Sequence, residues 1–173
     1  MRNTFKLLII ALLFSACSDE ETSKYPTKQA DWVIKQTNIE NFDNYFQGKT
    51  YLPVYSHIYH IHEHRAFDLT ITVSIRNISL TDSVYILKAD YFNTAGENIR
   101  QYIKNPIYLK PLETLEIIIE EQDKEGGSGA NFVFDWAKMN DKNPPLFEAV
   151  MISTYGQQGL SFTTRGVQIN EYQ

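Results

Sequence analysis

The stretch FDLTITVSIR, residues 67–76, decides the fold class because apolar and polar side chains alternate along its whole length. Successive side chains of a strand point to opposite faces of a sheet, so this alternation predicts a strand with one buried face. The predicted inner face consists of Phe67, Leu69, Ile71, Val73 and Ile75. The sequence therefore predicts a half-buried β-strand over these ten residues.

Similar strand patterns recur along the chain from residue 51 onward. They cover residues 84–93, 98–103, 115–120, 131–136, 147–154 and 160–167, and the turn sequence NTAG at 93–96 joins the first two as a hairpin. Many short strands without a long amphipathic helix are typical of a sandwich. We therefore predict an all-β fold, a single antiparallel immunoglobulin-like β-sandwich over residues 49–173. Only the architecture is meant, because the one cysteine rules out the Cys-Trp-Cys pattern of antibody domains.

The N-terminus has the order of a secretory signal. Arg2 and Lys6 precede the apolar run LLIIALLF at residues 7–14, and the small residues Ser15 and Ala16 follow it. Eight apolar residues are too few to span a bilayer, which takes about 20. We therefore expect residues 1–16 to be a signal peptide that is removed.

The sequence FSAC at residues 14–17 resembles the bacterial lipobox. That resemblance implies cleavage between Ala16 and Cys17 and acylation of Cys17, for example with palmitate, so that the bilayer becomes a partner. Several acyl chains anchor a protein stably. We expect a lipoprotein of the cell envelope, held in the outer membrane and facing the periplasm or the cell surface.

Residues 17–48 read as the lipidated cysteine and a flexible polar tether. The acidic run SDEE at 18–21 has two interpretations, an export tag for surface lipoproteins or a solvated linker. Further along, Trp32, Val33, Ile39, Phe42 and Phe46 have roughly helical spacing, which is compatible with a short helix or strand that docks on the domain.

Composition and charge exclude several function classes. The chain has 173 residues and a net charge of -5, which argues against nucleic acid as a partner because phosphate binding needs clustered Lys and Arg. Hydrophobic residues make up 43% and charged residues 21%, which is the composition of a folded domain. The one cysteine excludes an intrachain disulfide and a cysteine-based zinc site.

Several short motifs together resemble the bacterial family called domain of unknown function 3124 (DUF3124). They are YLPVYSHIY at 51–59, LT at 69–70, SIRN at 74–77, GGSGANF at 126–132, NPP at 143–145, EAVMI at 148–152, QQG at 157–159, SF at 161–162 and RG at 165–166. The resemblance implies a secreted or lipoprotein domain. It implies no catalytic residue, because the family has no assigned activity.

All four histidines, His57, His60, His62 and His64, fall within eight residues. On an extended chain the last three would share one face, and imidazoles of this kind are ligands for zinc or copper. The other interpretation is a solvent-facing loop between two strands. We expect no cofactor, and keep metal binding as the alternative.

Two polar loops invite other site hypotheses. GGSG at 126–129 lacks the Gly-Lys-Ser/Thr and helix of a phosphate loop, so we expect a strand connection. EEQDKE at 120–125 lacks the calcium-loop spacing, so we expect an exposed strand end rather than a calcium site.

A hydrolase is the least supported function. Ser56 and Ser161 are available as nucleophiles with His57 and Asp68. Neither serine lies in the Gly-x-Ser-x-Gly motif that surrounds the nucleophile of many hydrolases. Adjacent residues such as Ser56 and His57 also point to opposite faces of a strand.

Tyr51, Tyr55 and Tyr59 recur at every fourth position. An aromatic row of this kind could contact a protein or glycan partner, and the alternative is that the rings cover the edge of the core. The function we expect is therefore a membrane-anchored, non-catalytic binding or structural module of the envelope, with a metal-binding protein as the alternative.

Overall fold

The computed structural model describes residues 31–39, 41–154 and 159–169. These residues form one short helix, α1 (Asp31–Ile34), and twelve strands, and every strand pair is antiparallel. In chain order the strands are β1 (Phe46–Pro53), β2 (His57–His60), β3 (His62–Asp68), β4 (Thr70–Arg76), β5 (Val84–Phe92), β6 (Asn98–Ile103), β7 (Ile107–Leu109), β8 (Thr114–Ile119), β9 (Asn131–Lys138), β10 (Leu146–Ser153), β11 (Leu160–Arg165) and β12 (Val167–Ile169). The predicted all-β antiparallel fold is confirmed.

Two of the three sheets enclose the core. The larger has the order β12-β1-β9-β5-β6, with β7 also paired to β5, and the smaller has the order β11-β10-β4-β8. Phe134 of β9 stacks on Phe147 of β10 with ring centroids 4.5 Å apart, so the inner faces of the two sheets touch. One continuous cluster of buried apolar side chains includes residues of both sheets. This is a sandwich-like arrangement, and the immunoglobulin-like strand order stays a prediction.

The stretch at residues 67–76 is two strands rather than the predicted one. The chain divides at Leu69, whose backbone N–H donates to the carbonyl oxygen of Ser56 at 2.9 Å. Before this point β3 pairs with β2, and after it β4 pairs with β8 and β10. Leu69, Ile71, Val73 and Ile75 are fully buried, as the alternation predicted, while Phe67 is only half-buried. Alternation reveals the buried face but not the partner strand.

The stretch predicted as one strand over residues 160–167 is divided at Gly166. The residues before it form β11 in the smaller sheet, and those after it form β12 in the larger sheet. A Cβ atom at this position would lie 2.7 Å from Cγ2 of Thr50 and 3.0 Å from Cβ of Phe147. Only glycine fits there, which lets the chain cross between the sheets.

The folded contacts begin before residue 49, the predicted start of the domain. Trp32 of α1 packs against the core, with its ring 6.4 Å from that of Tyr102. Lys35 forms an ion pair with Glu113, and the N–H of Thr37 donates to the carbonyl oxygen of Pro106 at 3.0 Å. Because apolar Trp32 covers the core, the domain includes residues that the composition assigned to the tether.

The predictions for residues 1–16, Cys17 and the acidic run at 18–21 lie outside the described residues. None of the helical segments within residues 31–39, 41–154 and 159–169 has the length and apolarity that a bilayer crossing requires.

The main strands run between two ends of the sandwich, which we call the loop end and the hairpin end. The loop end comprises the turns at residues 77–83, 110–113 and 139–145. The hairpin end comprises β2 and β3, the turn at 93–97 and the loop at 120–130. β4 starts at the hairpin end and finishes at the loop end, so the two lie on opposite sides of the core.

Candidate functional site

The strands β2 and β3 form a hairpin of their own that belongs to neither main sheet. In its register His57 lies opposite Asp68, and Tyr59 lies opposite Ala66. The chain reverses at Ile61, which has a positive φ of 66°. A β-branched residue seldom adopts this conformation, so no sequence pattern signals a turn here.

The base of the hairpin is fixed to the sandwich. The Ser56 hydroxyl is buried, with its oxygen 3.1 Å from that of Tyr91, and the Ser56 N–H donates to the carbonyl oxygen of Gly127 at 3.0 Å. Asp68 forms an ion pair with Lys124 at 2.7 Å. Burial raises the pKa of Tyr91, outweighing the hydrogen bond with Ser56, which lowers it. The hairpin is therefore held in a defined position by neutral hydroxyls and one ion pair.

Beyond its base the hairpin is exposed to solvent. Residues 61–66 are all exposed, and Ile61 at the turn has 80% of its surface accessible. Tyr59 on β2 is 56% accessible. We call Tyr59, Ile61, His62, His64 and Arg65 the hairpin surface. Sequence reasoning selected its histidines and tyrosine but not Ile61.

The four histidines do not converge on one point. His60 stacks on Phe67 with ring centroids 4.0 Å apart, and the His57 ring lies 5.4 Å from that of Tyr59. The rings of His62 and His64 are 6.0 Å apart, and Nδ1 of His62 accepts a hydrogen bond from the His64 N–H at 3.2 Å. Among the residues that the structure describes, no three His, Cys, Asp or Glu side chains are grouped to hold a metal ion. Metal binding by His57, His60, His62 and His64 stays a prediction.

The three tyrosines lie in three different segments. Tyr51 is in β1 of the larger sheet and 37% accessible. Tyr55, in the connection between β1 and β2, is half-buried against the core with its ring 5.7 Å from that of Phe162. Tyr59 belongs to the hairpin surface. Tyr59 is therefore the tyrosine best placed to reach a partner.

The residues considered for hydrolysis have other partners. His57 and Asp68 are neighbours in the hairpin register, but the Asp68 carboxylate binds Lys124. The buried hydroxyl of Ser56 is engaged with Tyr91 rather than with an imidazole. Ser161 lies in β11, opposite Ile152.

The loop at residues 120–130 packs against the neighbouring turn. Thr94 receives a hydrogen bond at Oγ1 from the Gly129 N–H at 2.9 Å and donates to the carbonyl oxygen of Gly126 at 3.1 Å. Arg100 binds the carboxylates of Asp123 at 2.7 Å and Glu125 at 2.8 Å, and the Asp123 bond raises the pKa of the guanidinium. The glycines therefore lie in a loop that connects two strands. Asp123 and Glu125 of the acidic stretch are already bound by Arg100.

A shallow cleft of about 200 Å³ opens on the side of the sandwich near the loop end. Trp136, Pro145, Arg165 and Gln168 are among its lining residues, and Nε1 of Trp136 donates to Oγ1 of Thr50 at 3.0 Å. Ligand pockets usually have volumes of about 300–1,000 Å³. The hairpin surface is therefore the stronger candidate for a functional site.

Comparison with known proteins identifies the family. The family model described as "Protein of unknown function (DUF3124)" matches residues 47–169, and the chain belongs to this family. No curated protein matches it. A solved structure, "Crystal Structure of Thermotoga maritima 1070", is similar to it with a TM-score of 0.40 and 9% sequence identity, covering 69% of this chain and 92% of that one.

Proposed function

We propose that this protein is a membrane-anchored bacterial lipoprotein of the outer membrane whose β-domain is a non-catalytic binding module. The sequence FSAC after the apolar run supports the anchor at Cys17. The observation that carries the binding role is the hairpin surface, which presents Tyr59 and Ile61 to solvent. Its partner is a protein or glycan of the envelope.

The hairpin surface has the properties of a contact site. Aromatic side chains are enriched in protein interfaces, and the tyrosine ring offers apolar area with a polar tip. The fixed base at Ser56 and Asp68 holds the hairpin in place before a partner arrives. Such preorganisation lowers the entropic cost of binding.

The anchor is tested by replacing Cys17. Cys17→Ser should abolish incorporation of labelled palmitate and shift the protein from membranes to the soluble fraction or to an unprocessed precursor. Ser18→Ala is the matched control and should leave labelling and fractionation unchanged. Membrane-bound Cys17→Ser protein of mature size that still takes up palmitate would contradict the anchor.

The binding role is tested by a photo-crosslinking amino acid at Ile61 in whole cells. We expect discrete adducts of higher mass or of envelope glycan at this position. The control is the same residue at Thr72, on the outer face of β4, which should give none. Adducts at neither position, or equally at both, would contradict a partner at the hairpin surface.

A second candidate function is metal binding, favoured by one observation, the 6.0 Å separation of the His62 and His64 rings. Calorimetry with zinc and copper would then show one-to-one binding at pH 7 and weaker binding at pH 5, because ligation requires neutral imidazole. The double variant His60→Ala, His62→Ala should remove that binding. Absence of binding at pH 7 would eliminate this candidate.

A further inference from the structure

The loop end carries a group of exposed aliphatic side chains. Leu80 is 77% accessible, Leu112 and Met139 are each 65% accessible, and Ile78 is 43% accessible. The N–H of Leu112 donates to the carbonyl oxygen of Ser79 at 3.2 Å, and Nδ2 of Asn140 lies 3.3 Å from Oδ2 of Asp82. These contacts join the three turns, so the aliphatic residues are neighbours on one end. We call Ile78, Leu80, Leu112 and Met139 the loop-end patch.

The turns that carry the patch are held by buried polar groups. The amide nitrogen of Asn77 lies 2.8–3.1 Å from the carbonyl oxygens of Asp82, Leu109 and Lys110. The buried ammonium group of Lys138 donates to the carbonyl oxygens of Lys142 and Asn143 at 2.8 and 3.1 Å. The patch is therefore presented by fixed turns.

Leu112 adds an independent observation, because its φ is 60°. A leucine in the left-handed region is uncommon and costs backbone strain, which folded proteins retain mainly at functional positions. Here the strained position directs a large aliphatic side chain into solvent instead of burying it. Packing against the described residues does not bury this side chain, which is 65% accessible.

The charges of the two ends differ. At the loop end Lys110, Lys142 and one carboxylate, Asp141, are exposed, while Glu113 is paired with Lys35 and the Asp82 carboxylate accepts from Asn140. At the hairpin end the stretch at residues 120–125 holds four carboxylates and one lysine. Arg100 binds two of these carboxylates and the lysine pairs with Asp68, so this end keeps an excess of negative charge. Basic groups are attracted to anionic lipid, and acidic groups are repelled by it. The charge pattern therefore favours the loop end as the side that faces an anionic bilayer.

The proposed anchor keeps the domain close to the membrane. Asp31 follows Cys17 by fourteen residues. A chain of this length reaches at most about 46–50 Å when fully extended, and a flexible one spans on average about 20 Å. Lys35, four residues further on, is already bound to Glu113 at the loop end. The bilayer therefore lies within reach of the loop-end patch.

We infer that the loop-end patch lies against the lipid surface, with its aliphatic side chains at the headgroup boundary and Lys110 and Lys142 beside anionic headgroups. The hairpin end then points away from the membrane, toward its partner. This orientation rests on the proposed function, because it requires the lipid at Cys17.

The experiment measures membrane depth in the lipidated full chain, reconstituted in vesicles of phosphatidylethanolamine and phosphatidylglycerol. Acylated Cys17 has no free thiol, so Leu80→Cys or Leu112→Cys places a single fluorophore at the patch. Ala95→Cys, an exposed position in a hairpin-end turn, is the matched control. We expect quenchers on the lipid chains to act on labels at 80 and 112 and not on the label at 95.

Two negative results are distinguishable. If protein without an introduced cysteine takes up the fluorophore and does not sediment with vesicles, Cys17 is not acylated, and both the proposed function and this orientation fail. If Cys17 is blocked and the protein sediments, but labels at 80 and 112 respond only to an aqueous quencher as the label at 95 does, the orientation alone is overturned.

Discussion

Asn77 at the loop end is 2% accessible and binds three carbonyl oxygens, whereas Ile61 at the hairpin end is 80% accessible and lies at the turn of a two-stranded hairpin. Both positions belong to connections between strands of the same domain. The buried amide of Asn77 binds the loop-end connection to its neighbours. The hairpin, in contrast, is fixed to the sandwich only at its base. Connections of this second kind tolerate substitution, because few buried contacts depend on them.

Removing the buried amide of Asn77 should lower the free energy of unfolding more than the other substitutions at the two ends. Asn77→Ala leaves three carbonyl groups and the Ser79 N–H without their side-chain partner, and each unsatisfied buried group is costly. We expect the free energy of unfolding to fall by about 3 kcal/mol or more, as the sum of several such losses. Urea denaturation measures it, with the exposed Asn98→Ala as control. A change as small as that of the control would show that the turn is stable without the amide.

The ion pair beside this amide should have a smaller, pH-dependent effect. Burial acts to raise the pKa of Glu113, but hydrogen bonds from the Lys35 side chain and the Lys110 backbone outweigh it and lower the pKa below 4.5. A carboxylate with a lowered pKa in the folded state stabilises the fold above its unfolded-state pKa and loses this effect as the pH falls through the folded-state value.

Glu113→Gln should therefore lower the free energy of unfolding by about 0.5–1 kcal/mol at pH 7. The difference from the parent protein should shrink as the pH falls below about 4.5. Denaturation curves at several pH values measure both effects, and Glu120→Gln at the hairpin end is the matched carboxylate control. A pH-independent difference would assign the effect to packing instead of charge.

The smallest effect is expected on the hairpin surface. The double variant His62→Ala, His64→Ala removes two exposed side chains that lie beyond the fixed base. We expect its free energy of unfolding to stay within about 0.5 kcal/mol of the parent value, as for most surface substitutions. If this variant lost as much free energy of unfolding as Asn77→Ala, the two ends would not differ in their contribution to stability.

The sequence predicted most of the sandwich, because alternation reports directly on burial. Leu115, Ile117 and Ile119 in β8 are buried as expected, and so are Phe132 and Phe134 in β9. Alternation did not predict the breaks at Leu69 and Gly166, because it carries no information about which strands pair.

The candidate sites were less predictable. The histidine cluster marked the hairpin, but the exposure of Ile61 depends on a positive φ that isoleucine seldom adopts. The role of Asn77 depends on carbonyl groups more than thirty residues away in sequence, at Leu109 and Lys110. Trp32 lies in a stretch that composition assigned to a polar tether; its roughly helical spacing was compatible with docking on the domain, but the spacing did not indicate Tyr102 as the contact. Long-range contacts of this kind leave no local periodicity.

The crossing at Gly166 has a consequence for the order of folding. Its N–H donates to the carbonyl oxygen of Phe147 at 2.8 Å, and β12 then pairs with β1, Thr50 opposite Gln168. The segment that joins both sheets is thus the last described part of the chain to leave the ribosome. Pairing across so long a loop is slow, because the entropy of closure is lost before the contacts form. We therefore expect the pairing of β1 with β12, which closes the larger sheet on this side, to be a late step in folding.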